Sequence, residues 1–131
     1  MKKLAATYVA TLAVMLVLDL LWLGVVATPV YQAGIGHLMA AQPRIGPALV
    51  FYLLFPVGLL VFAVLPQARA GTLDAVKAAA LFGLFTYGTY DMTNLATLKD
   101  WPLGLSLLDT AWGCTVSTLA ALAGRAAYRR M

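Results

Sequence analysis

The chain has 131 residues, of which 63% are hydrophobic and only 11% charged, and its mean hydropathy is +0.88. Soluble domains carry about 25% charged residues, so this chain cannot clothe a water-facing surface and lipid must be its outer solvent. Nine Lys and Arg leave a formal charge of +4, but they sit between apolar segments and form no basic face, which excludes nucleic acid as a partner.

Four apolar stretches follow in chain order, at about 4–27, 47–65, 73–98 and 105–123. At ~1.5 Å per residue each can cross a ~30 Å hydrocarbon core, the two shorter ones with some thinning. Backbone groups in lipid must be bonded internally, so the stretches are expected as helices of an all-α, four-helix transmembrane bundle forming one domain. The first begins like a signal peptide, with Lys2 and Lys3, but its apolar run is too long for one and contains Asp19 and Trp22. It is read as a retained helix. Thr28-Pro29 ends it. The connection 28–46 is long enough to fold, and Tyr31, Ile35, Leu38 and Met39 recur at helical spacing, which predicts a short amphipathic helix lying on the membrane. Pro47 suits a first helical position, and Pro56 should kink the second helix. Trp101-Pro102 stops the third helix and is placed to anchor at the interface. Cys114, the single cysteine, rules out an internal disulfide and a Cys-based metal site; it reads as a small packing residue.

Charge sets the orientation. Lys2, Lys3, Arg69, Lys77, Arg125, Arg129 and Arg130 fall on one side, and Arg44 with Lys99 on the other. The positive-inside rule then places both termini in the cytoplasm.

All five acids are Asp, and Asp19, Asp91 and Asp109 lie inside apolar stretches; an Asp at the bilayer centre costs roughly 2.5–3.5 kcal/mol, and Asp109, nearer a helix end, costs less. With the topology above, all three fall in the outer half, roughly 6–12 Å below the outer boundary at ~1.5 Å per residue. That agreement predicts one shared polar site. Trp22 follows Asp19 by three residues and Trp112 follows Asp109 by three, so each pair shares a helix face. Because the two helices are antiparallel, Trp22 lies shallower than its Asp and Trp112 deeper. In the third helix Tyr87, Asp91 and Asn94 form one stripe, with Tyr90 and Asn94 on the next. Thr86, Thr89, Thr93 and Thr97 read as hydrogen-bonding glue between helices. Lys99 can reach back toward Asp91 or Asp109, and His37, the only histidine, is an accessory candidate from the outer loop.

Several strings resemble a known family: Leu18-Asp19-x-x-Trp22-Leu23-Gly24, Gly36-His37-Leu38-Met39, Phe51-Tyr52-Leu53-Leu54, the run Phe82 through Pro102, and Asp109-x-x-Trp112-Gly113. In this order they resemble the bacterial membrane proteins called domain of unknown function 2177. Phe55 and Gly88 stand where the family pattern leads one to expect Tyr and Ala. The resemblance implies a small multi-pass protein of the bacterial cytoplasmic (inner) membrane and supplies no mechanism.

Three functions stay open. The first is a module that binds or transports a small ligand: Asp19, Asp91 and Asp109 with Tyr87, Tyr90 and Asn94 as polar partners and Trp22 and Trp112 as aromatic walls. Such a set suits an organic cation, a proton-coupled solute or a lipid-like molecule. One four-helix chain is small for alternating access, so transport implies a homodimer. The second is an enzyme acting on a lipid or isoprenoid-like substrate, with Asp91 as acid or base and His37 or Lys99 assisting. No Cys–His or Ser–His spacing, Gly-rich nucleotide loop or Glu-x-x-His motif supports it, so the cofactor stays unknown and no residue is assigned to a metal. The third is a structural or assembly subunit. An enzyme should show a lipid-accessible slot leading to Asp91, and a transporter a path that also opens inward.

Overall fold

Every apolar stretch folds as a helix and no strand forms, as a backbone that must satisfy its own hydrogen bonds in lipid requires. The computed structural model describes residues 1–131. Helix α1 (Lys2–Leu21) runs on into a wide π-turn, Trp22–Val26, closed by the Ala27 amide on the Trp22 carbonyl at 2.7 Å. Helix α2 (Thr28–Ile35) has Pro29 in its first turn, where a missing N–H costs no hydrogen bond. Helix α3 (Ile45–Leu59) passes Pro56 and continues in a second π-turn, Leu60–Val64. The irregularity expected from Pro56 thus lies a turn beyond it. Helices α4 (Thr72–Thr97) and α5 (Leu103–Arg130) complete the chain. The last helix outruns the apolar stretch 105–123, carrying Arg125, Arg129 and Arg130 on the helix itself.

The segments Lys2–Val26, Ile45–Val64 and Leu103–Arg130 are long and apolar enough to cross a membrane. Their surfaces agree with that. Val9, Leu20, Val25, Phe62, Phe85 and Leu107 are exposed, whereas Thr7, Thr11, Asp19, Asp91, Ser106, Asp109, Ser117 and Arg125 are buried. A water-soluble protein would distribute them the other way.

Helix α5 packs along both α1 and α4, and α3 closes the bundle, touching α1 and meeting α4 mainly through Leu60–Val64. Missing side chains permit two close approaches. A Cβ at Gly83 would run into the Gly113 carbonyl and the Ser117 hydroxyl, and one at Gly113 into the Tyr87 ring. On the other face, a Cβ at Gly124 would strike the Thr11 hydroxyl. Small residues at a helix crossing let backbones approach where no hydrophobic effect drives association. Met15, Leu59, Ala63, Val64, Ala79 and Val116 fill the half of the bundle nearer the termini.

Arg125 is not a free flanking charge. It is buried, donating Nε to the Gln67 carbonyl at 3.3 Å, Nη2 to the Ala70 carbonyl at 2.5 Å and Nη1 to the Thr72 hydroxyl at 3.4 Å. It ties the α3–α4 connection to α5. The threonines of α4 also differ from expectation. Thr86, Thr89, Thr93 and Thr97 each donate to a carbonyl of their own helix, not to a neighbour, the local alternative open to any helical hydroxyl.

Candidate functional site

At the α2 end of the bundle lies a cavity of about 610 Å³ whose wall includes Asp19, Asp91 and Asp109. All three carboxyls are buried, at 3%, 0% and 8% exposure. Their partners differ, and that divides their roles.

Asp19 is fully engaged. Its Oδ1 accepts from Trp112 Nε1 at 2.9 Å and its Oδ2 from the Tyr52 hydroxyl at 3.0 Å, so one carboxyl ties α1 to both α5 and α3. Asp109 accepts from the Tyr31 hydroxyl, and Tyr31 in turn accepts from Trp22 Nε1 at 3.2 Å. The two Asp-x-x-Trp units therefore serve each other: Trp112 bonds Asp19 directly, and Trp22 reaches Asp109 through Tyr31. The indole rings stack between them, 4.4 Å apart and 3° from parallel. Burial, then the bond to Asp109, pushes the Tyr31 phenol above its ordinary pKa, so it stays a donor.

Asp91 is only partly engaged. Its Oδ2 accepts from Thr110 Oγ1 at 3.1 Å, and its main-chain carbonyl from Ser106 Oγ at 3.0 Å. Its Oδ1 is buried and receives no hydrogen bond. The Asp109 carboxyl lies close to that of Asp91 on the same cavity wall. Asp91 and Asp109 thus form an acid pair, while Asp19 stands apart with its own donors. The chain's acids and histidine do not converge as a metal-ligand set.

Aromatic residues shape the rest. Phe55 closes the cavity toward the termini, its ring 5.1 Å from Phe82 and 5.8 Å from Tyr87. On the α2 side of this floor the wall is Ala48, Phe51 and Tyr52 from α3, and Tyr87, Tyr90 and Asp91 from α4. The two helices stand apart there. Phe51 and Tyr90, on the two lips, are exposed, Tyr90 at 55%. Leu23 and Met39 on the same wall are exposed as well. Beneath Phe55 the packed core leaves no continuation toward the termini.

Residues 4–126 match the family model described as "Predicted membrane protein (DUF2177)". The chain belongs to this family. No curated protein and no solved structure matches it. The family description gives the membrane as location, and it assigns no reaction.

In this DUF2177 protein, Asp19, Tyr87, Tyr90, Asp91, Asp109 and Trp112 reach the cavity wall, whereas Trp22 and Asn94 do not. Trp22 stacks behind Trp112, and Asn94 is half-buried beside Tyr90. The accessory candidates lie elsewhere. His37 Nε2 faces Asp100 Oδ2 at 3.5 Å in an exposed pair, and Lys99 is exposed and pairs with neither buried acid. Trp101 is a correction. It is buried at 8% and donates to Ser106 Oγ at 2.9 Å, because Ile35 and Leu105 enclose it. The helix expected on the membrane surface is α2, but its Tyr31 and Ile35 pack inward against that cluster, leaving Leu38 and Met39 exposed. Sequence reasoning missed Tyr31, Tyr52 and Thr110 as carboxyl partners. Of these, Tyr52 had a visible signal, as the one hydroxyl-bearing residue of α3.

Proposed function

We propose that the protein is an intramembrane binding protein that takes a lipid-like molecule sideways, between α3 and α4, and holds its polar head at Asp91 and Asp109. The observation that carries this reading is the cavity above Phe55, walled by the exposed Phe51 of α3 and Tyr90 of α4 and holding an acid with an unmatched oxygen. The cavity is in the range of a small-molecule site, concave, apolar over most of its wall and with few converging polar groups. In this reading α4 is a fourth span: it has 26 residues, about 39 Å of helix at ~1.5 Å per residue, and packs along α5. Both termini lie in the cytoplasm of a bacterial cell, so the pocket opens to the outer leaflet. The closed floor weighs against a transport path.

The test is native mass spectrometry of protein extracted from its own membrane, wild type against Asp91→Asn. The expected outcome is a lipid-like mass retained by wild type and lost from the folded variant. Identical, ligand-free spectra overturn the reading. The adjacency of Asp91 and Asp109 favours a second reading, an enzyme using the pair as acid and base. It requires that wild type, and not Asp91→Asn, convert a membrane lipid to a species of new mass.

A further inference from the structure

Resting on the lateral-pocket reading, we propose that the head group this pocket selects is a primary alkylammonium, held between Asp91 and Asp109. A hydrogen-bond account of the wall leads there. The donors that meet the three acids are each spent: Trp112 and Tyr52 on Asp19, Tyr31 on Asp109, Thr110 on Asp91. The Tyr87 and Tyr90 hydroxyls on the wall can accept as well as donate, and the one buried polar atom there without a partner is an acceptor, Asp91 Oδ1, next to a second carboxyl. No Lys, Arg or His lines the cavity. A head that carries negative charge meets carboxyls and no cation, and an uncharged head leaves the two acids without a counter-charge. A head that brings its own N–H donors and a positive charge satisfies Oδ1 and lets both carboxyls ionise against one cation.

Primary and quaternary ammonium heads differ at this wall as well. An aromatic cage needs open ring faces around the cation, yet Trp22 and Trp112 each give one face to the other. A trimethylammonium has no N–H for Oδ1. The alkyl chain would lie along the apolar wall of Phe51, Phe55 and Tyr87 and leave between the lips at Phe51 and Tyr90.

The experiment is titration calorimetry of the full chain in phosphatidylcholine nanodiscs, against empty discs, with dodecylamine, dodecyltrimethylammonium, dodecanol and dodecanoic acid. Dodecylamine is protonated at neutral pH, as an alkylamine with an ordinary value near ~10.4 must be. The expected result is that it binds at least about ten-fold tighter than each of the other three. Asp91→Asn and Asp109→Asn should each bring it down to the dodecanol level. Dodecanol or the quaternary probe binding as tightly as dodecylamine overturns the head-group proposal while leaving the lateral pocket standing. No binding of any of the four chains overturns the pocket reading, and this proposal with it. The comparison among probes uses the wild-type chain, so it stands even if one variant fails to fold.

Discussion

Asp19 and Asp91 are both buried acids on lipid-facing helices, but their surroundings give opposite responses to the same substitution. Asp19→Asn would turn an amide N–H₂ toward either the Trp112 or the Tyr52 donor, leaving two donors face to face, which costs about 1–3 kcal/mol. Asp91→Asn would offer an N–H to the neighbouring Asp109 carboxyl and remove an acceptor that nothing satisfies. Its stability should be unchanged or raised. Chemical unfolding in detergent, followed by circular dichroism, checks both, and equal destabilisation by the two would count against the division of roles. The sequence made the cost of these acids visible, since any Asp in an apolar stretch demands a partner. It did not make the partners visible. Tyr31 lies 78 positions from Asp109, and no local spacing encodes that contact. Lys99 illustrates the reverse error: proximity in sequence to Asp91 suggested a charge partner, but the chain leaves the helix at Leu98 in an extended conformation and carries the side chain outward.

At the level of helices, apolar length was enough to place the four long elements within a few residues at every end but the last of α5, because lipid leaves the backbone no alternative to a helix. Their ends were less legible. Helix α5 continues past Ala123 because Arg125 is neutralised by carbonyls of the α3–α4 connection, a partner outside its own segment. Trp101 was misjudged for a related reason. A Trp beside a Pro at a helix end fits an interfacial anchor, and only the arrival of α2 against it makes it interior. Helix crossings can be tested through glycine. Gly83→Ala should force α4 and α5 apart at Gly113 and destabilise the protein by about 1–3 kcal/mol. Gly104→Ala, with nothing within 4 Å of the added carbon, should be neutral or stabilising by up to ~1 kcal/mol. Thermal aggregation midpoints of the two variants in the same detergent give the comparison.

Across the whole molecule, polarity is arranged from one end to the other. Aliphatic and small residues fill the half near the termini, and acids, phenols and indoles fill the half beneath α2. That Asp19, Asp91 and Asp109 share one cavity wall could be anticipated from three helix directions. The rest of the cavity wall could not, because which residues of α3 and α4 face it depends on how those helices pack, which apolar periodicity does not fix. Topology is open to a direct check in a Cys114→Ala background. Gln42→Cys, beyond α2, should react with a membrane-impermeant maleimide on intact cells. Met131→Cys should react only after the cells are opened. The opposite pattern would reverse the orientation and place the pocket in the inner leaflet.

The stacked indoles have a consequence for spectroscopy. The chain holds three tryptophans. Trp112 and Trp101 line the cavity, and Trp22 lies against Trp112, so none reports on any other part of the protein. Its tryptophan emission, excited selectively over tyrosine, is therefore the emission of the pocket, a built-in gauge of what occupies it that needs neither label nor substitution.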